Sequence, residues 1–324
     1  MEQIEGKYPI DVVIPYVDSR DMNWQVQYKK HSEREGRPVI LNSQRFRSWD
    51  NLHYIFRGIA KFCPWVRKVH LIVCAPSQVP SWIDRTEVNV VYHRDIIPKD
   101  FRPTFNSCTI EMFIRNIPDL AEHFIYTNDD IFFIRPCSPG DFFTKGYPRL
   151  YYRKVAYSDT QNLFRHQCKA SLDLVASDFK VRCVDFIWKN SHSVSPMLKS
   201  TMDKVWEKHE AELISRISKF RKPYNVNQYV YSYYQYLSQM FYEGTFPNKY
   251  TCFKDYSLEE ICDIIRNQGT SLLCINDAGK NIRFKFYKYK INQAFEEILP
   301  HPSKYELGNA NESYAQTLLN PFML

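Results

Sequence analysis

The sequence lacks the short motifs that mark several large enzyme classes. It contains no G-x-G-x-x-G and no P-loop lysine motif, which argues against dinucleotide redox enzymes and classical NTPases. None of its nine cysteines forms a CxxC pair, which argues against zinc ribbons and disulfide frameworks. It also has no internal repeat and no low-complexity segment. These absences favour a globular protein that belongs to none of these classes.

Long apolar stretches are absent as well. No uninterrupted apolar run approaches the roughly 20 residues that are needed to cross a bilayer. Residues 1–9 contain two glutamates and no apolar centre, unlike a secretory signal. The cysteines lie mostly inside apolar stretches such as 71–74 and 272–274, as buried thiols do in a reducing compartment. We therefore expect a cytoplasmic protein with at most peripheral contact at the inner face of a membrane.

The composition is that of a folded α/β protein. A chain of 324 residues with 44% hydrophobic content can bury one large core, with or without a helical subdomain. Lysine and arginine number 43 against 36 aspartates and glutamates, and the resulting net charge of +7 is spread along the chain without long basic runs. This distribution favours an anionic substrate and does not indicate a nucleic-acid partner.

Strand and helix patterns alternate over about the first 135 residues, which predicts a layered α/β domain with mostly parallel strands. Strands are predicted at 10–17, 69–73, 88–92 and 123–126, and helices at 50–62 and 106–117. Longer helical patterns then follow at 161–179, 196–214, 227–242 and 258–266, with a short strand at 271–275. The sequence thus predicts an α/β core over residues 1–158 and a mainly helical part over 159–324.

Acidic and amide side chains follow three of the predicted strands. Asp18 and Asp21 follow the first, Asp129 and Asp130 follow the strand at 123–126, and Asn276-Asp277 follows the last. In parallel sheets, ligands bind beyond the carboxyl ends of the strands. Oxygen ligands of this kind suit Mg²⁺ or Mn²⁺ that bridges substrate phosphates. The alternative is that these residues only end strands and begin turns.

Two further side chains could act on a phosphate. His192, in a polar loop before a predicted helix, could take a proton from an attacking hydroxyl or attack phosphorus itself. Arg221 could bind phosphate oxygens in bidentate fashion. The simpler interpretations are a solvated histidine and a surface charge. His53 and His70 lie in periodic apolar segments and are predicted to be packing residues.

A basic and aromatic stretch occupies residues 282–298 before Pro300. Its arginine and lysines could attract an anionic acceptor or a membrane surface. A solvated helix face beside a buried aromatic stripe explains the same pattern.

Several blocks of the chain, in this order, resemble the Stealth family of hexose-1-phosphate transferases. The matching segments are Ile10–Val13 with Val17–Asp21 and Trp24; Arg45–Arg47, Pro64–Arg67, Pro80–Trp82, His93–Asp95, Pro103–Ser107, Ile110-Glu111 and His123–Asp130; His192 with Pro196–Lys199, and Phe220-Arg221; Cys274–Asp277 and Leu299–Glu306. The chain departs from the family pattern at Pro15-Tyr16, Ser19 and Val194. The resemblance covers nearly the whole chain.

The resemblance implies transfer of a sugar phosphate from a nucleotide diphosphate sugar to an acceptor hydroxyl, with release of a nucleoside monophosphate and dependence on Mg²⁺ or Mn²⁺. The expected fold is a Rossmann-like or GT-A-like layered sheet, in which residues 1–158 bind the nucleotide-sugar and 159–324 complete the active site and return to the core. The expected donor is a UDP-N-acetylhexosamine, and the expected acceptor is a glycan of a bacterial capsule or cell surface.

The resemblance also assigns roles to residues. Asp18, Asp129, His192 and Arg221 are expected to be catalytic. Expected substrate-binding residues are Arg45, Arg47, Asn106, Asn128 and Asn276, and expected metal ligands are Asp130 and Asp277. The alternatives are a conventional metal-dependent glycosyltransferase, which releases a nucleoside diphosphate, and a catalytically silent carbohydrate-binding protein.

Overall fold

The computed structural model describes residues 8–40, 47–158, 160, 162–189, 192–278 and 283–308. The helices of these ranges are α1 Met22–Arg34, α2 Leu52–Phe62, α3 His93–Ile96, α4 Ser107–Met112, α5 Leu163–Ala176, α6 Lys199–Ser215, α7 Tyr229–Leu237, α8 Leu258–Arg266 and α9 Phe284–Ile298. The strands are β1 Ile10–Pro15, β2 Val66–Val73, β3 Val88–Tyr92, β4 His123–Tyr126, β5 Ile131–Phe133, β6 Phe143–Thr144, β7 Tyr147–Leu150, β8 Arg153–Ala156, β9 Phe186–Lys189, β10 Ser195–Leu198, β11 Tyr242–Glu243, β12 Asn248–Cys252 and β13 Leu272–Asn276.

The largest sheet has five strands in the order β10-β4-β1-β2-β3. β1 pairs in parallel with both β2 and β4, and β2 pairs in parallel with β3, whereas β10 runs antiparallel to β4. This confirms the predicted α/β class with mostly parallel strands. The strand order reverses between β1 and β4, and such reversal points are where open α/β sheets leave a crevice for ligands.

Alternate residues of β1 enter two separate cores. Val12 and Ile14 are fully buried in a cluster that includes residues of α2, α8 and α9. Val13 points to the opposite face, into a cluster built from β4 and helices α5, α6 and α7. A strand that is buried on both faces reads as a continuous apolar run, which is why β1 was visible in the sequence. Helices of the second half therefore contribute to the cores on both faces of the main sheet.

A second, three-stranded sheet has the order β12-β13-β5 and lies beside α2. Gly58 of α2 lies directly against the backbone carbonyl of Phe133, where a Cβ would collide. Because β10 pairs with β4 and β13 pairs with β5, strands from the second half join sheets with strands from the first. The boundary between residues 158 and 159 stays a prediction.

The structure corrects several predicted helix bounds. Residues 195–198 form β10 and are all buried, so the helix predicted at 196–214 begins only at Lys199. Pro196 is tolerated there because β10 is an edge strand. The helix predicted at 106–117 is α4 followed by a 3₁₀ turn at Ile114–Asn116. The second half also contains strands β9 to β13 besides its five helices, so its described part is mixed.

Helix α1 was not predicted. Only Trp24 and Ser32 of its residues are buried, so its amphipathic pattern is weak. Asp21 caps it by accepting from the backbone N–H groups of Asn23 and Trp24. Among the described helices, none pairs enough length with enough apolar character to cross a bilayer.

Candidate active site

A cavity of about 1010 Å³ opens at the carboxyl ends of β1, β2 and β4. Ten of the eleven site residues expected from the sequence line it. They are Asp18, Arg47, Asn106, Asn128, Asp129, Asp130, His192, Arg221, Asn276 and Asp277. Arg45, the remaining expected substrate-binding residue, lies outside the described residues. Segments that are up to about 260 positions apart in sequence therefore meet in one place.

The two aspartates after β4 differ in their surroundings. Asp129 is accessible from the cavity, but protein atoms enclose it, and this desolvation raises its pKa to about 7, with the neighbouring Asp130 charge as the second cause. Asp130 Oδ1 is buried and has no hydrogen-bond partner among the described residues. An unpartnered buried carboxylate oxygen is costly, and it is the kind of atom that a bound cation satisfies.

His192 lies beside Asp130. Its Nε2 is 3.6 Å from Asp130 Oδ2, and its side chain is 33% exposed. The ring meets Tyr250 edge to face, with centroids 5.8 Å apart. His192 lies in the loop that leads into strand β10, whereas the sequence predicted that this loop leads into a helix. It is therefore held at the cavity wall while remaining accessible to a substrate.

Arg221 enters the cavity from the loop between α6 and α7. Its guanidinium donates from Nη2 to Ser107 Oγ at 2.6 Å. Its Nε is buried and has no hydrogen-bond partner in the described part of the chain. Ser107 is the first residue of α4, so the helix that begins at the cavity also positions this arginine. One buried N–H group of Arg221 thus lacks a partner among the described residues.

Glu111 is a charged residue of the site that the sequence did not single out. It is buried on α4 and accepts hydrogen bonds from Tyr126 Oη at 3.1 Å and from the Gln228 backbone N–H at 2.8 Å. Burial raises the pKa of Glu111, and the Gln228 N–H and the charge of Arg221 act in the opposite direction. The sequence feature that could have indicated Glu111 is its position as an acidic residue inside an apolar helix, between Cys108 and Met112.

Asp18 belongs to a chain of ion pairs at the rim. Its carboxylate accepts from Arg20 at 2.9 and 3.0 Å, and Arg20 also contacts Asp50 at 2.9 Å. Asp50 in turn pairs with Lys288 of α9. Within the basic stretch, Phe286 and Tyr287 pack against the core. That segment therefore combines a partly buried aromatic face with one lysine that reaches the rim of the cavity.

Four further expected residues, Arg47, Asn106, Asn276 and Asp277, already have protein partners. Arg47 and Asp277 form a two-pronged ion pair, and Trp49 Nε1 donates to the same carboxylate at 3.1 Å. Asn106 is fully buried, caps α4 through Cys108 N–H at 3.1 Å, and donates to Asn225 Oδ1 at 3.0 Å.

Asn276 Oδ1 accepts from the Ala278 N–H at 2.9 Å. The side-chain oxygens of Asp277 and Asn276 are thus engaged within the protein. Of the two expected metal ligands, Asp130 is the one with a carboxylate oxygen, Oδ1, that has no partner among the described residues.

The cavity offers an imidazole, a guanidinium and a carboxylate oxygen that has no partner in the described part of the chain. Carboxylates together with phosphate oxygens complete the shell of a divalent cation. A guanidinium binds phosphate, and an imidazole transfers protons near neutral pH. The arrangement suits an anionic substrate that reacts at phosphorus.

Comparisons with known proteins point to one family. Residues 45–150 match conserved region 2 of the Stealth proteins. The chain is 30% identical to a receptor polysaccharide phosphotransferase of Streptococcus gordonii, over 92% of this chain and 99% of the relative. It is 29% identical to a capsular polysaccharide phosphotransferase of Streptococcus pneumoniae, over 92% and 99% respectively. An exopolysaccharide phosphotransferase of Lactiplantibacillus plantarum is 29% identical, over 93% and 97%. The chain belongs to the Stealth family of phosphotransferases.

Proposed function

We propose that the protein transfers a sugar 1-phosphate from a nucleotide diphosphate sugar to a hydroxyl of a glycan acceptor, and that it does so in the synthesis of a capsular or other cell-surface polysaccharide. The observation that carries this proposal is the meeting of Asp129, Asp130, His192 and Arg221 in one cavity. The polysaccharide phosphotransferases that the chain resembles over most of their length support the class of acceptor.

The donor is expected to bind at the carboxyl ends of β1 and β4. The parallel strands have the order β3-β2-β1-β4, which matches the first four of the six strands in the Rossmann order and supports a Rossmann-like or GT-A-like fold. The cavity of about 1010 Å³ is at the upper end of ligand sites, which span about 300–1,000 Å³, and so has room for a nucleotide with its sugar. A UDP-N-acetylhexosamine is the donor that we propose.

A divalent cation fits the residues that are present. Asp130 Oδ1 is a buried carboxylate oxygen without a partner among the described residues, and Asp129 adds a second carboxylate beside it. These two side chains would hold Mg²⁺ or Mn²⁺ together with substrate phosphates. When bound, the cation would neutralise the charge of the diphosphate. Asp277 could join them only after leaving Arg47 and Trp49.

The chain's own side chains account for binding and proton transfer. Arg221 holds the transferred phosphoryl group, using its Nε and the Nη2 that now donates to Ser107. The charge of Glu111 attracts the Arg221 guanidinium and helps to position it. His192 takes the proton of the acceptor hydroxyl, and the Asp130 carboxylate, 3.6 Å from Nε2, stabilises the imidazolium that forms.

In the proposed step, the acceptor oxygen attacks the phosphorus next to the sugar. A bond forms between that oxygen and phosphorus, and the bond from phosphorus to the bridging oxygen of the diphosphate breaks. The leaving group is the nucleoside monophosphate, and the acceptor proton passes to His192. In a variant of this scheme, His192 Nε2 attacks first and the acceptor hydroxyl then displaces it from phosphorus.

We place the enzyme in the cytoplasm, where nucleotide-sugars are made. The nine cysteines are all free thiols, and eight of them are buried, which supports a reducing compartment.

The product nucleotide tests the proposal. Purified protein is incubated with Mg²⁺, a panel of nucleotide-sugars and candidate glycan acceptors, and the nucleotides are separated by anion-exchange chromatography. We expect a nucleoside monophosphate and an acceptor that carries a sugar phosphodiester. Release of a nucleoside diphosphate would indicate a glycosyltransferase, and donor binding without metal-dependent turnover would indicate a carbohydrate-binding protein.

A further inference from the structure

Three metal-binding side chains of different chemical types meet beside the cavity: Asp130 and His192 line it, and Cys274 is buried next to them. Asp130, His192 and Cys274 each offer one ligand atom, and these three atoms lie within 4.8 Å of one another. They come from three places in the fold, namely the loop after β4, the loop before β10 and strand β13. The sequence contains no CxxC or similar spacing that would predict the cluster, because only the pairing of distant segments brings its members together.

Two of the three separations are close to those of an occupied metal site. Asp130 Oδ2 is 3.6 Å from His192 Nε2 and 3.6 Å from Cys274 Sγ. In a tetrahedral zinc site, bonds of about 2.0 Å to nitrogen and oxygen and about 2.3 Å to sulfur put the ligand atoms roughly 3.3–3.6 Å apart. The three side chains therefore need only small movements to share one cation.

The donor set is not the one that Mg²⁺ prefers. Mg²⁺ takes oxygen ligands and keeps several waters, whereas imidazole and thiolate favour Zn²⁺ and neighbouring transition metals. Mg²⁺ at Asp130 would depend on phosphate oxygens of the donor. Zn²⁺ could bind with protein ligands alone, and Asp129 next to the cluster adds negative charge that attracts it.

We propose that Asp130, His192 and Cys274 form a binding site for Zn²⁺, and that zinc bound there inhibits the enzyme. The Cys274 thiol loses its proton to solvent as the sulfur–metal bond forms, so binding tightens as pH rises. Zinc occupies His192 Nε2 and a carboxylate oxygen of Asp130. The inhibitory part rests on the proposed function, in which both groups take part in turnover, whereas the binding part does not.

Binding is tested first on the full chain, freed of metal with EDTA and desalted. ZnCl₂ is titrated by calorimetry, and CoCl₂ is titrated in an absorption spectrometer. We expect one strong site and, with cobalt, the near-ultraviolet charge-transfer band of a cobalt–thiolate bond. Cys274→Ala and Cys274→Ser should each weaken zinc binding by about a hundredfold and remove this band, because one of three protein ligands is lost.

Cys252→Ala is the matched control. Cys252 is also a buried thiol and lies on β12, the strand next to β13, but it is not part of the cluster. Its variant should keep both the zinc affinity and the cobalt band. Circular dichroism and melting temperature verify that all variants are folded. The cobalt spectrum of the unaltered protein tests for the thiolate ligand without any variant.

Inhibition is measured as the zinc concentration that halves the Mg²⁺-supported rate of each variant relative to its own rate without zinc. This concentration should rise at least about tenfold in Cys274→Ala and stay unchanged in Cys252→Ala. A cobalt spectrum without the thiolate band, or zinc affinity that Cys274→Ala leaves unchanged, would overturn the site. If zinc binds through Cys274 but no donor is turned over, the metal site stands and the proposed function fails.

Discussion

Two of the protein's carboxylate–imidazole pairs lie at opposite edges of its main sheet, and they are built differently. Near the start of β1 and in β2, Asp11 and His70 are 2.9 Å apart and both side chains are fully buried. Asp11 also accepts from Arg67 at 2.6 and 2.8 Å and from the Ala121 N–H at 2.8 Å. His70 is bonded on its other nitrogen to Asn89 at 2.7 Å. This pair has its hydrogen-bonding groups satisfied within the fold.

The second pair, Asp130 and His192, is looser and open. Its closest nitrogen and oxygen are 3.6 Å apart, and the two side chains are 28% and 33% exposed. Asp130 Oδ1 has no partner within the described ranges. A satisfied buried pair stabilises the fold, whereas an unsatisfied pair at a cavity is available to a ligand. We therefore expect the amino-terminal edge of the strands to contribute to stability and the carboxyl-terminal edge to contribute to function.

Replacing His192 by Ala should have the largest effect on turnover. Loss of a general base costs about 10²–10⁴-fold in rate, so kcat/KM for nucleoside monophosphate release should fall by that factor while the melting temperature stays close to the parent value. His301→Ala, at an exposed position outside the cavity, is the control and should keep full activity. Turnover of His192→Ala within a few-fold of the parent would remove the imidazole from the mechanism.

Replacing Asp11 by Ala should affect stability instead. It leaves the buried His70 and the Ala121 N–H without their acceptor and removes one of the two carboxylate partners of Arg67. Breaking such a pair costs about 3 kcal/mol, which urea unfolding would measure as a lower midpoint. The fraction that remains folded should turn over substrate at the parent rate. A large loss of kcat in folded protein would contradict the division between the two edges.

Acid should weaken the Asp11 pair. Burial alone would raise the pKa of Asp11, but the hydrogen bonds from Arg67, His70 and Ala121 outweigh it and lower the pKa to about 2. An unfolded aspartate has a pKa of about 3.9, so the stabilisation is complete above about pH 4 and is lost as pH falls toward 2. At about 1.4 kcal/mol per unit of pKa, roughly 2.6 kcal/mol is involved.

Urea midpoints between pH 5 and pH 2 would show this loss. Asp11→Asn should flatten the acid limb, whereas Asp100→Asn, which removes an exposed carboxylate, should not. Equal acid limbs in the parent protein and Asp11→Asn would show that Asp11 is not the group responsible.

The sequence identified much of this division in advance. Strands β1 to β4 were predicted because they are apolar runs, and parallel strands bring their carboxyl ends to one edge. That is why the expected residues of the cavity, apart from Arg45, were found together. His70 was also correctly expected to be a packing residue, since it lies inside an apolar segment.

What the sequence did not reveal depends on tertiary contacts. Glu111 was not singled out as a site residue because its partners Tyr126 and Gln228 are 15 and 117 positions away. Cys274 looked like an ordinary buried thiol, and only the pairing of β13 with β5 brings it to Asp130. Strand β10 was read as the start of a helix because a four-residue edge strand has too little pattern to compete with the long helix that follows.

The smallest expected effect is a gain in stability from Asp130→Asn. The change removes one of two adjacent carboxylate charges in an enclosed cavity, and Oδ1 has no partner to lose among the described residues. Functional sites carry strain of this kind, so the free energy of unfolding should rise by about 0.5–1 kcal/mol in metal-free buffer while turnover falls. The same exchange at Asp11 should lower stability, so one substitution type measured at both edges gives opposite signs. If Asp130→Asn instead destabilises the protein by 1 kcal/mol or more, this carboxylate supports the fold as Asp11 does, and the two edges are not divided between stability and function.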